Sequence, residues 1–185
     1  MWYILGAAAL LLLLYTVITY NRLVKGSNLL KEAWSGIDVQ LKRRSDLIPT
    51  LVETVKGYSR HEQTVFTQVT EMRTAAMGAR GARDKGLAEN ALTAGLKDLF
   101  ALAEAYPDLK ASQNYLTLQE ELVQVEDQVQ LARRYYNGAV RLLNNLVESF
   151  PSNLVAKLAG LSRAEFFTLE LATERQVPEV SWAEK

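Results

Sequence analysis

"EAWSGIDVQLKRRSDLIPTLVETVKGY", residues 32–58, places Ala33 and Trp34, Ile37, Leu41, Ile48, Leu51 and Val52, and Val55 at spacings of three, four and seven. That recurrence is the stripe of an amphipathic helix with one buried face, and no strand-like alternation competes with it. Leu30 continues the stripe upstream. On the other faces Asp38 and Lys42 stand four apart, the stabilising orientation for a surface ion pair, and Arg43, Arg44 and Asp46 extend the polar side. Pro49 lacks an amide hydrogen, so a kink or a restart is expected between Ser45 and Ile48. Gly57 is the expected end of the helix.

Upstream, "MWYILGAAALLLLLYTVITYN" carries no charged side chain from Met1 to Asn21. About 20 apolar residues at about 1.5 Å each match a hydrocarbon core of roughly 30 Å, so residues 2–20 are expected to span a bilayer, with Trp2, Tyr3, Tyr15 and Tyr20 near its interfaces. A cleaved signal peptide would show a basic start and a small-x-small site, and this segment has neither, so a retained anchor is expected. Arg22, Lys25, Lys31, Lys42, Arg43 and Arg44 all follow the span. The positive-inside rule then puts the amino terminus outside and the remaining chain in the cytoplasm. Only Gly26 and Ser27 weaken the expectation that span and first soluble helix form one rod.

Downstream the chain continues as helix. Ser59 with Glu62 reads as a capping box opening a second helix that carries Val65, Phe66, Val69 and Met72. Gly78, Gly81 and Gly86 read as a turn, followed by a third helix from about Leu87 to Tyr106, ended by Pro107. A fourth starts around Gln113 and keeps Leu122, Val125, Val129, Ala132, Tyr136, Val140, Leu143 and Val147 in one register up to Pro151. At about 50 Å it matches the first soluble helix, and short connections favour up-down-up-down packing. "SNLVAKLAG" suggests a short helix near the bilayer, and Ser162 with Glu165 a further cap. Phe166, Phe167 and Trp182 either close the lower end of the bundle or touch lipid head groups. The final "QVPEVSWAEK" has too little periodicity for more helix.

The expected fold class is all-α: an N-terminal transmembrane helix continuing into an elongated antiparallel helical bundle, four-helix-bundle-like, with short C-terminal helices. The expected organisation is an anchor at 1–21, a bundle domain at 22–172 and a tail at 173–185. Of the 185 residues, 21 Lys+Arg balance 21 Asp+Glu, which argues against nucleic acid as a partner. With no cysteine there are no disulfides, thiolate nucleophiles or zinc-thiolate sites.

Catalytic chemistry finds little support. His61 is the one histidine, so neither a helical zinc site nor the paired Glu-x-x-His units of a di-iron bundle can be assembled. The acidic run Glu120, Glu121, Glu126 and Asp127 reads as a solvated face. No catalytic, cofactor or metal residue is expected, and no cofactor.

The blocks "YNRLVKGSN", "EAWSGIDVQLKRRSDLIPTLVETVKGY" with "HE" after it, "ARRYYNGAVRLLNN" and "VPEVSW" resemble the LemA family in order and spacing, over nearly the whole chain. The resemblance implies a bacterial protein with one N-terminal span and a helical domain, and carries no established activity. Its motif falls on Asn21, Glu32, Trp34, Asp38, Gln40, Arg43, Arg44, Asp46 and Pro49, and then on Arg134, Tyr135, Asn137, Arg141 and Asn144. Three readings of these residues stay open: a polar seam fixing helix register, an exposed docking surface for a partner or a second copy, or a ligand or phosphate site.

Two function classes follow. One is a scaffold in the bacterial inner membrane that self-associates and acts through membrane partners such as a protease or an envelope-maintenance system. The other is an enzyme or ligand-binding domain with its site in the seam. Leu29, Leu47, Leu116, Leu131 and Leu142 fall off the main stripes, and their pairing between copies would favour a closed ring about the membrane normal.

Overall fold

The computed structural model describes residues 1–59 and 61–168. Among these are six helices and no strand: α1 Trp2–Lys56, α2 Gln63–Gly78, α3 Ala82–Glu104, α4 Pro107–Lys110, α5 Gln113–Glu148 and α6 Ser152–Leu158. The all-α class expected from the stripes is the one observed. The "QVPEVSWAEK" stretch, Trp182 and the proposed tail lie outside the described residues.

α1 runs unbroken through Gly26, Ser27 and Pro49, so the expected restart near Pro49 does not occur. Pro49 is exposed, which puts the backbone bond it cannot make on the solvent side. The chain divides into two compact units. The first holds Met1–Leu47 and Thr117–Phe166, and the second holds Ile48–Leu116 and continues from Phe167.

In the first unit α1 and α5 pair antiparallel. Gly26 lies against Leu143, Trp34 against Tyr136, and Arg44 against Glu126, so each step up α1 is matched by a step down α5. Ala33, Ile37 and Leu41 are buried on α1, and Leu122, Val125, Val129, Tyr136, Val140 and Leu143 on α5. Below them Leu23 and Leu143 form a cluster with Val155 and Ala156 of α6. Burying a side chain such as Leu23 contributes roughly 1.5–3 kcal/mol.

α6 ends in a Schellman turn. The Leu161 amide donates to the Ala156 carbonyl at 3.0 Å and the Gly160 amide to that of Lys157 at 3.2 Å, with Gly160 at φ +68. That left-handed backbone needs glycine. Residues 161–168 then run without helix, so the capping box expected at Ser162 and Glu165 is absent. The reason is a contact distant in sequence: the Ala164 amide, which a Ser162 cap could bind, donates at 2.8 Å to Asn144 Oδ1 instead.

In the second unit α2 packs on α3. Its core includes Leu51 and Val55 of α1, Phe66 and Val69 of α2, Leu92, Leu96, Leu99 and Ala103 of α3, and Leu109 of α4. Three local expectations are corrected there. Ser59 does not cap α2: its amide closes α1 on the Val55 carbonyl at 3.0 Å and its hydroxyl donates to Tyr106 Oη at 3.0 Å, while α2 opens after Glu62. α3 begins at Ala82 rather than Leu87, because the turn sits at Gly81 with φ +80. Gly86 is instead buried inside α3, where a Cβ would come 2.5 Å from the Thr168 carbonyl oxygen. Finally, α3 stops at Glu104, and Pro107 opens α4 from its first turn. Phe167 is fully buried and belongs to this second unit, so it touches no lipid head group.

Candidate interaction site

The polar residues singled out on α1 and α5 separate into two sets. Arg44, Trp34 and Asn144 face the interior of the first unit, whereas Asp38, Arg43, Asp46, Arg134, Tyr135 and Arg141 are exposed and Asn137 is half-buried. Pro49 is exposed on α1 and belongs to neither set.

 The rest of the interior set is supplied by Glu126 and Tyr136.

Arg44 is 2% exposed and its guanidinium Nη1 lies 3.3 Å from Glu126 Oε2, a carboxylate that keeps partial contact with water. An arginine taken out of water needs such a partner, because an uncompensated buried charge costs several kcal/mol, on the order of 3–5 when a pair is broken. Ten residues away along each helix, nearly three turns, Trp34 and Tyr136 meet edge to face, with ring centroids 5.5 Å apart at 61°. Such a pair adds about 0.5–1.5 kcal/mol beyond the area it buries. Tyr136 Oη then donates to the Glu165 carbonyl at 3.0 Å. Burial raises its pKa above the usual tyrosine value, and the negative charge of Glu165 adds to the rise. Asn144 donates to the Ala164 carbonyl at 3.0 Å and accepts from the Ala164 amide at 2.8 Å, so one side chain reads both polar groups of one peptide residue.

The seam therefore does two things: it holds α1 against α5, and it holds the return segment after α6 against α5. On the outside, Lys42 pairs at 2.9 Å with Asp46 rather than with Asp38 as expected, the two residues again being four apart. His61 is exposed, and no group of three or more His, Asp or Glu side chains that could hold a metal ion occurs among the described residues.

Sequence reasoning passed over Glu126 and Tyr136 as partners and treated Arg43 and Arg44 alike. A signal was available. Ile37, Leu41, Arg44 and Ile48 follow helical spacing, as do Leu122, Glu126 and Val129, and Val140, Asn144 and Val147. The seam residues interrupt apolar stripes, and Arg43 does not.

Two long antiparallel helices keyed by internal polar side chains, one of them led by a segment apolar and long enough to cross a membrane, define an all-helical protein with the make-up of a membrane-anchored one. The chain belongs to the LemA family, whose pattern matches residues 33–182. It is 25% identical over 177 residues to each of two proteins of Paramagnetospirillum magneticum, magnetosome protein MamQ 1 and magnetosome protein MamQ 2, with 82% of this chain covered. The matched region spans 65% of the length of those relatives. Protein LemA of Metamycoplasma hominis is 25% identical over 148 residues, covering 80% of this chain and 68% of its own.

Proposed function

We propose that this chain is a single-pass scaffold of the bacterial cell membrane, with an anchor at 1–21 and a helical domain at 22–172 facing the cytoplasm, acting through self-association and through membrane protein partners. The observation that carries this reading is the division of the family-like motif. Its interior members, Trp34, Arg44 and Asn144, are engaged by the protein's own groups, and its remaining charged and aromatic members stand on the surface of α1 and α5. A surface of Asp38, Arg43, Arg134, Tyr135 and Arg141 suits docking, since Arg and Tyr supply rigid or forked contacts at protein interfaces. Leu116, Leu131 and Leu142 are exposed on α5, as are Val123 on α5 and Val39 on α1, and these apolar side chains supply the self-contact.

The test is the detergent-corrected mass of the purified full-length protein, together with the proteins that copurify in mild detergent. An assembly of several copies, reduced by Leu131→Glu with helicity intact, supports the reading; one chain per particle with no protein partner sinks it. Orientation is tested separately by a reporter fused after Lys185, active on the cytoplasmic side only. The competing reading, a ligand site in the seam, is favoured by Gln40 Oε1, which is buried without a hydrogen-bond partner among the described residues. It predicts a small molecule carried through gentle purification and seen by native mass spectrometry.

A further inference from the structure

The corner between α5 and α6 turns apolar side chains outward. Phe150 is 80% exposed, Leu154 56% and Leu158 87%, and they recur every four residues, while Val155 and Ala156 of the same short helix pack inward on Leu23. Leu154 and Leu158 on one edge of the seven-residue α6, with Phe150 just before it, have no partner in the first unit to explain them.

Their height along α1 supplies the explanation. The antiparallel register that sets Gly26 against Leu143 and Trp34 against Tyr136 puts Phe150, carried past the end of α5, level with Tyr20. Burial agrees: Thr19 is the buried residue of the segment 1–22, and it lies one turn below Leu23, on the face that α6 covers. The corner thus stands level with the last residues of the apolar segment of α1.

Beside it, a groove of about 420 Å³ runs between α1 and α5, lined by Arg22, Lys25, Gly26, Leu29, Leu142, Asn145 and Leu146. Two cations and no carboxylate line it. Lys157 is exposed on α6 as well. Phe150 level with Tyr20, and the cations Arg22 and Lys25 one step further along α1, follow the order of layers in a bilayer surface, acyl chains first and phosphates next.

We propose that this corner is a second membrane contact of the chain: Phe150, Leu154 and Leu158 enter the interfacial zone of the leaflet, and Arg22 and Lys25 meet the phosphates of its anionic phospholipids. The inference rests on the anchoring of residues 2–20 proposed above. The contact adds a second point of attachment to the single span and fixes the first unit's tilt on the surface. A bilayer is a better occupant than a second copy because the edge adjoins the apolar segment itself, where every copy meets lipid.

The absence of cysteine makes the test direct. Nitroxide labels are placed on full-length single-cysteine variants, Phe150→Cys, Leu158→Cys, Tyr135→Cys and Leu12→Cys, in phosphatidylcholine vesicles with and without phosphatidylglycerol. Collision with oxygen reports lipid and collision with a water-soluble nickel chelate reports water. The labels at positions 150 and 158 are expected on the lipid side with the label at position 12, and the label at position 135 in water. Phosphatidylglycerol should deepen the label at position 150, an effect lost in Arg22→Gln/Lys25→Gln and not reproduced by inorganic phosphate in solution. Labels at positions 150 and 158 in water, with the label at position 12 in lipid, overturn this contact and leave the anchor standing; a label at position 12 in water overturns both. Spin–spin broadening at positions 150 and 158, with shielding from both quenchers, overturns it in favour of a second copy.

Discussion

α1 is one helix with two surfaces. From Trp2 to Arg22 its Leu, Ile and Val side chains are exposed, whereas from Leu23 to Val55 the same residue types form a buried stripe. Helical hydrogen bonding is continuous across both parts, so the backbone does not distinguish them. What differs is what covers the side chains: α5 and α6 cover the second part between Leu23 and Leu41, Leu51 and Val55 are buried in the core of the second unit, and in the proposed setting lipid covers the first part. The comparison teaches that hydrophobic content makes a helix bury something, and that the spacing of its polar residues decides whether the cover is protein.

The sharpest way to break the comparison is to charge each part in turn. Ile37→Asp places an unpaired carboxylate in the core of the first unit and should destabilise it by roughly 4 kcal/mol or more, seen as loss of a cooperative thermal transition while the protein still sediments with membranes. Leu12→Arg should do the reverse, since an arginine at the centre of a span costs about 3 kcal/mol on insertion scales. Membrane recovery should fall and the melting of the domain in detergent should not change.

Next in size is Arg44→Ala, which leaves Glu126 without its buried partner and should lower stability by about 2–4 kcal/mol by thermal or denaturant melting. Arg44→Met keeps the volume and removes the charge, and should recover much of that loss. Arg43→Ala, at an exposed position, should change melting by less than about 0.5 kcal/mol.

Tyr136→Phe removes the hydrogen bond to the Glu165 carbonyl and should cost about 1 kcal/mol near neutrality. Its pH signature is more specific. Because burial, and then Glu165, raise the folded-state pKa of Tyr136, the folded protein holds this proton more tightly than the unfolded chain. That contribution is complete below about pH 10, the unfolded value, and is lost as pH rises through the folded one. Alkaline melting curves of Tyr136→Phe should fall less steeply, and the remaining slope includes Tyr115, raised by burial and by Glu104. A change of opposite sign is expected where the two parts of α1 meet. A Cβ on Gly26 would sit 3.4 Å from Leu143 Cδ1, an ordinary contact, so Gly26→Ala should raise stability by about 0.5–1 kcal/mol through helix propensity.

Much of the fold could be read from apolar spacing, since most residues of the α1 and α5 stripes are buried and Leu30, Trp34, Ala132 and Val147 half-buried. The misreadings share a cause. Local rules place Ser59, Gly86 and Ser162 in caps and turns, but the first is engaged by Tyr106 and the second by the approach of Thr168, and the cap at the third is pre-empted by Asn144. Those partners are distant in sequence, where local propensity carries no information. In the candidate site, Arg44 and Arg43 are neighbours in the chain yet about 100° apart around the helix, and only the stripe tells which one turns inward. Glu126 was hidden among other acids, because a carboxylate on a stripe looks like a solvated one until its partner helix is in place.

The unbroken backbone of α1 between Tyr20 and Leu23 also fixes an angle. Inserting one alanine there would turn the apolar segment by about 100° relative to the Arg44 seam and lengthen it by about 1.5 Å. Each side of the apolar segment is therefore phased to the side on which Arg44 meets Glu126. Four inserted residues would nearly restore that phase and two would reverse it, so the proposed assembly, measured as detergent-corrected mass against insertion length, should oscillate with the helical period, not decay smoothly as it would across a flexible tether.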